Sequence, residues 1–254
     1  MLLAHELIGV ASSPSLVLIH GITESRHSWH PLLHDLARTH QVLAVDLRGH
    51  GESDDEHGGY DPVSYAADVI ETADSLGVTD ALVVGHSLGG LVATAFAATA
   101  PCRGVVNIDQ PLQLSAFKES LAQLEPMLRG DDQQFQQAID LMFQFMSGPL
   151  PNDEQMRLAT HRRATRHVVM GTWAAVFEST PDELDALIRE VLATVTVPYL
   201  ALHGIDPGPE YVHWLYQSLP SAAIEVWPDT GHYPHLVHPD RFLARLAEFE
   251  AALA

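Results

Sequence analysis

Short, almost unbroken apolar runs alternate along this chain with stretches in which apolar residues recur at helical spacing. The runs at 15–19, 41–45, 81–84, 104–108, 197–202 and 223–227 read as strands, and their near-continuous Val, Leu and Ile content predicts a parallel sheet covered on both faces. Segments 31–38, 62–76, 88–100, 209–219 and 239–253 read as helices, several opened by a proline at the first-turn position. Strand, helix, strand in succession is βαβ logic, with the helices as crossovers on the two faces of one sheet. The rhythm breaks between about 111 and 194, where helical stretches 116–128, 132–146, 152–170 and 181–192 follow one another without a strand. The pattern predicts an α/β fold carrying a helical insertion, with residues 1–110 and 195–254 as its two core parts and 111–194 as the insertion.

One corner of that pattern carries chemistry. Gly85-His86-Ser87-Leu88-Gly89 lies directly between the apolar run 81–84 and the helical run that begins at Gly90-Leu91-Val92. A serine at such a strand-to-helix corner forms a nucleophile elbow: flanking glycines allow a tight, strained turn and the helix N-terminus faces the developing charge. A serine hydroxyl attacks only if a neutral imidazole takes its proton and a carboxylate orients that imidazole. His232, which follows Gly231 in a loop after the last predicted strand, suits the role of base; His235 and His238 read as surface or capping residues.

The chain resembles the α/β-hydrolase superfamily through four motifs in that family's order: His20-Gly21-Ile22, Asp46-Leu47-Arg48-Gly49-His50-Gly51-Glu52-Ser53, the corner at Ser87, and Gly231-His232 followed by Pro234 and Pro239. The resemblance implies a mostly parallel central sheet flanked by helices, with the helical insertion as a cap after the sixth strand of the family's count. It implies oxyanion donors at the backbone amides of Ile22 and Leu88, with His20 bracing their loop. It also implies an acid at the end of a late strand: Asp206 is expected there, Asp109 is the alternative, and Asp229 serves a turn. Only about eighteen residues precede His20-Gly21, so a short or partial leading hairpin is expected.

Composition narrows the function. The formal net charge is −20 over 254 residues, which argues against a nucleic-acid or anionic-membrane surface. Cys102 is the lone cysteine, so no internal disulfide forms, and the start Met1-Leu2-Leu3 lacks a basic region before an apolar one, so a cytoplasmic location is expected. Asp54-Asp55-Glu56-His57 reads as a solvated charge run, and neither metal-site spacing nor a phosphate-binding glycine loop is present; no cofactor and no metal are expected. In the insertion, Phe143, Met146 and Trp173, with Trp29 from the core, are candidates for a substrate pocket, although packing of helix on helix is the commoner use of such residues. Arg157, Arg162, Arg163 and Arg166 crowd ten positions of an acidic chain; Arg162 and Arg166 would share a helix face and could clamp a substrate carboxylate, or pair with acidic neighbours. The expected activity is hydrolysis of a small or medium apolar ester or lactone, a small-molecule substrate, through an acyl-enzyme on Ser87. Cofactor-free carbon–carbon bond hydrolysis or perhydrolysis with the same residues is the alternative chemistry, and ligand binding or signalling on the same fold the alternative class.

Overall fold

The computed structural model describes residues 1–55, 58–163 and 165–253. Its strands form one seven-stranded sheet in the order β1-β3-β2-β4-β5-β6-β7. They are β1 (His5–Gly9), β2 (Ser15–Ile19), β3 (Gln41–Val45), β4 (Leu82–His86), β5 (Gly104–Ile108), β6 (Tyr199–His203) and β7 (Ala222–Val226). All neighbours pair in parallel except β1, which runs antiparallel to β3 and supplies the leading edge that the short N-terminal segment left in question.

The side-chain period of two divides each central strand between two cores. On β2, Val17 and Ile19 join one apolar cluster while Leu16 and Leu18 join the other, and on β4 Val83 opposes Leu82 and Val84 in the same way. One face is covered by α2 (Pro62–Ser75) and α3 (Leu88–Thr99), the other by α1 (His30–Leu36) and α12 (Pro239–Ala251). Proline at the first turn opens α1, α2 and α12, and the Asp61 carboxylate caps α2 by accepting from the Val63 and Ser64 amides. Between β6 and β7 lies α10 (Gly208–Ser218), and after β7 comes the short α11 (Pro234–Val237).

Between β5 and β6 the chain is helical: α4 (Ser115–Leu128), α5 (Asp132–Met146), α6 (Asn152–His161), α7 (Arg166–Thr172), α8 (Ala174–Glu178) and α9 (Pro181–Leu192). Capping boxes fix two of the starts, Asp131 with Gln134 for α5 and Thr180 with Glu183 for α9. The stretch 152–170, expected as one helix, is two. The chain leaves the helix at Arg162, where ψ is 133°, and the Arg163 amide donates to Thr23 O at 2.7 Å, far across the sequence. A tertiary hydrogen bond thus displaces helical propensity at this point, and Arg162 and Arg166 do not share a helix. Among the described residues, no helix is long and apolar enough to cross a membrane.

Candidate active site

The C-terminal ends of the parallel strands bring Ser87, Asp109 and His232 around one cavity, where open α/β sheets generally hold ligands. Ser87 links β4 to α3 with φ 52° and ψ −126°, a left-handed conformation that a serine holds only where its surroundings enforce it. The enforcement is close packing of strand and helix backbones. A Cβ on Gly85 would lie 1.9 Å from Gly89 O, and one on Gly89 would lie 2.2 Å from Ile19 O, so both neighbours must be glycine. Asp109, just beyond β5, has φ 53° and Thr23, in the His20-Gly21 loop, has φ 63°. Three of the five non-glycine residues with such a φ among the described residues therefore cluster here.

His232 is buried, and its Nδ1 lies 2.7 Å from Asp109 Oδ2. A carboxylate at that distance accepts a proton from Nδ1, which leaves the lone pair on Nε2. Asp109 is itself only 4% exposed, and its Oδ1 accepts from the Gly204 amide at 2.7 Å and the Ile205 amide at 3.1 Å. Burial pushes its carboxyl up, but His232 and these two amides outweigh burial and hold it below the usual carboxylate range. Burial likewise pushes the His232 imidazole below its ordinary value, against the pull of Asp109.

Asp206, the residue expected beside His232, is not there. It is exposed and its Oδ1 accepts from the Gly208 amide at 2.9 Å, which places it in the turn that starts α10. The loop after β6 is one residue tighter than the pattern that suggested it, and what that loop offers the site is its amides, which bind Asp109. Trp29 is also displaced from expectation. Fully buried, it joins the apolar cluster on the opposite face of the sheet, with the His235 ring 5.1 Å away. His235 is buried rather than superficial, whereas His238 is exposed.

A cavity of about 410 Å³ opens over these groups, lined at its base by Ser87, Leu88, Ile22, Asp109 and His232 and above by Phe143, Met146 and Trp173, with Phe117, Met142 and Val176. Its polar lining is Gln110, Gln113, Ser120 and Thr172 beside the reactive groups. No Lys or Arg is among its described lining residues. The Leu88 amide belongs to the first turn of α3, where an amide has no acceptor within its own helix. In the loop of Ile22, His20 Nδ1 donates to Gly21 O at 2.7 Å while Nε2 accepts from the Leu47 amide at 3.0 Å, so this buried imidazole braces the loop from beneath. Asp46 adds a second brace by accepting from the Arg26 and Glu52 amides and pairing with the Arg26 guanidinium.

The arginines of the insertion are not among the cavity's described lining residues. Arg157 binds Glu154 and donates to the carbonyls of His27 and Ser28, Arg166 binds Asp132 and Leu128 O, and Arg162 lies over the Phe143 ring at 3.5 Å. In the 54–57 charge run, Asp55 pairs with Tyr60 and His167, while Glu56 and His57 lie outside the described residues. No group of three or more His, Cys, Asp or Glu among the described residues is placed to hold a metal ion.

Sequence reasoning passed over Glu24, Tyr233 and His86. Glu24 is 2% exposed and accepts from the Tyr233 hydroxyl at 2.9 Å and the Gly21 amide at 3.3 Å. Adjacency was the available signal: His86 precedes Ser87 and Tyr233 follows His232.

A model of the alpha/beta hydrolase family matches residues 16–245. The chain is 28% identical over 248 residues to a 2-(acetamidomethylene)succinate hydrolase of Mesorhizobium japonicum, covering 94% of this chain and 88% of that one. It is 30% identical over 274 residues to a pimeloyl-[acyl-carrier protein] methyl ester esterase of Vibrio parahaemolyticus, covering 93% and 94%. A crystal structure of a hydrolase from Pseudomonas aeruginosa superposes with a TM-score of 0.79 at 25% identity, over 97% of this chain and 93% of that one. With the sheet order, the strand-end cluster and these likenesses together, the chain belongs to the alpha/beta hydrolase family and is a hydrolase.

Proposed function

We propose that the protein is a serine carboxylic-ester hydrolase in which Ser87 is the nucleophile, His232 the general base and Asp109 the acid that orients it. One observation carries the reading: a strained Ser87 shares a cavity with a His232 whose Nδ1 is committed to Asp109, so that Nε2 is free to take a proton. As Ser87 Oγ bonds to the ester carbonyl carbon, its proton passes to His232 Nε2 and the carbonyl oxygen becomes an oxyanion held by the Ile22 and Leu88 amides. The bond to the alcohol then breaks and His232 returns the proton to the leaving oxygen. In the second half, water gives a proton to His232 while its oxygen adds to the acyl carbon, and Ser87 leaves carrying that proton.

The helices at 111–194 act as a cap that supplies the acyl pocket. Its apolar lining without Lys or Arg favours an uncharged acyl chain or aryl group over a dicarboxylate, so the ester chemistry named for the Vibrio relative fits this cavity better than the succinate named for the Mesorhizobium relative. Among the described residues, no arginine of the insertion lines the cavity, which leaves a substrate carboxylate there without a clamp.

The test combines a fluorophosphonate probe with a substrate panel. Wild type is expected to be labelled, Ser87→Ala not at all, and neutral 4-nitrophenyl butyrate to be cleaved at least about tenfold faster than an ester of a free dicarboxylic half-acid, given what burying an unpaired charge costs. An unlabelled wild type overturns the nucleophile, and a preference for the half-acid overturns the substrate class.

A further inference from the structure

Three loops must stay in register for the proposed reaction: the one presenting the Ile22 amide, the corner presenting Ser87, and the one presenting His232. All three converge on the same carboxylate. Glu24 Oε2 accepts from the Gly21 amide at 3.3 Å, in the first loop. The same oxygen lies 3.5 Å from Nδ1 of His86, the residue before Ser87, while Glu24 Oε1 accepts from the hydroxyl of Tyr233, the residue after His232. His86 closes the ring by donating from Nε2 to His232 O at 2.9 Å.

The carboxylate is deeply buried, so its charge needs balance. Arg162, at the break after α6, lies close enough for its positive charge to act on both Glu24 and the Tyr233 hydroxyl, and the adjacent Arg163 amide holds Thr23 O at the strained position just before Glu24. Burial pushes the Glu24 carboxyl up, yet His86, Arg162 and Tyr233 outweigh burial and keep it well below the usual range. The chain leaves the helix at the point that delivers Arg162 to this spot. An anion this close to an oxyanion hole opposes the charge the hole must hold, and a counter-cation removes that opposition.

We propose that Glu24 is a positioning residue that locks the oxyanion loop, the serine corner and the histidine loop into one arrangement, and that Arg162 of the helical insertion acts through it. Glu24 is not among the described residues that line the cavity; it fixes where the Ile22 amide and His232 sit, so its loss falls on turnover rather than on binding. The proposal rests on the reading of Ser87, His232 and the Ile22 amide given above.

Steady-state kinetics with 4-nitrophenyl butyrate test it. Glu24→Gln removes the charge and replaces one of the two acceptor oxygens by an NH2 donor, so the Gly21 amide and the Tyr233 hydroxyl can no longer both donate to it, and is expected to lower kcat about 10²-fold, the scale of a misplaced oxyanion donor, with KM within about threefold. Tyr233→Phe deletes one bond to Glu24 with little change of shape, and should lower kcat several-fold at unchanged KM; it decides the matter if Glu24→Gln fails to fold. Arg162→Gln should lower kcat about tenfold in the wild-type background and less than about twofold in the Glu24→Gln background, because residues that act as one unit are not additive. Wild-type kcat in both Glu24→Gln and Tyr233→Phe overturns the proposal, as does a loss confined to KM; fully multiplicative losses separate Arg162 from Glu24 and overturn its part. Labelling of wild-type Ser87 by the fluorophosphonate is the control. Its absence fails the nucleophile assignment, whereas normal wild-type labelling with unaltered rates in both Glu24→Gln and Tyr233→Phe fails the proposal alone.

Discussion

Asp109 holds a left-handed φ of 53°, which for a non-glycine residue costs about 1–3 kcal/mol, and it does so with both carboxylate oxygens occupied. Strain of that size persists where surrounding bonds over-determine it, and here they aim a carboxylate at His232. Asp109→Asn should therefore lower kcat by about 10³–10⁴-fold, the scale expected when an orienting carboxylate is lost, while Asp206→Asn stays within about twofold. Parallel kinetics on the two variants decide between the carboxylates. A Cβ on Gly21 would meet Ser87 Cβ at 3.2 Å and His86 Nδ1 at 3.3 Å, so Gly21→Val should be far more damaging than Ile22→Val, whose backbone amide is unchanged; equal loss of turnover would contradict this. Because burial lowers the His232 pKa, the acid limb of kcat/KM should have its midpoint below 6.5, activity rising with pH as the imidazole loses its proton. At this scale Ser87 and His232 were legible because their neighbours declare a turn and a terminal loop. That Asp109 rather than Asp206 lies beside His232 was not legible, since both follow strands, and their placement depends on which loop turns its amides inward.

At the scale of elements, the alternation of apolar runs located six of the seven strands, and the seventh, β1, pairs along an edge whose polar positions give little periodic signal. The break of 152–170 at Arg162 had no local sign, because its cause is a bond to Thr23 from a distant loop. Trp29 could not be assigned to a face from sequence, since a single turn of 3-10 helix at Arg26–Trp29 decides it. The helices between β5 and β6 should set chain-length preference: Trp173 is buried and lines the cavity, so Trp173→Ala should raise the kcat/KM ratio of octanoate to butyrate esters by about tenfold, the scale of one or two methylenes in an apolar pocket. An unchanged ratio would place the acyl chain elsewhere.

Across the whole molecule, burial has collected imidazoles that must stay neutral. His20, His50, His203, His232 and His235 are all buried with pKa values lowered chiefly by desolvation, His50 to about 3. Since the unfolded chain then binds protons that the folded chain refuses, stability is present above 6.5 and is lost as pH falls below it, by about 2 kcal/mol at pH 5 for a group such as His50. Thermal melts from pH 7 to pH 5 should show a steadily falling Tm, and a flat profile would contradict the neutral burial of these rings. The central claim is that Ser87 becomes nucleophilic through His232 held by Asp109. Its most direct measurement is rapid quenching of the reaction with 4-nitrophenyl acetate, followed by mass analysis of the peptide that carries the acetyl group. The account predicts one acetyl per chain on Ser87 in wild type and Asp206→Asn, forming at least about 10³-fold more slowly in His232→Ala and Asp109→Asn. Acetyl on another residue, or an Asp109→Asn enzyme that acylates at the wild-type rate, would contradict it.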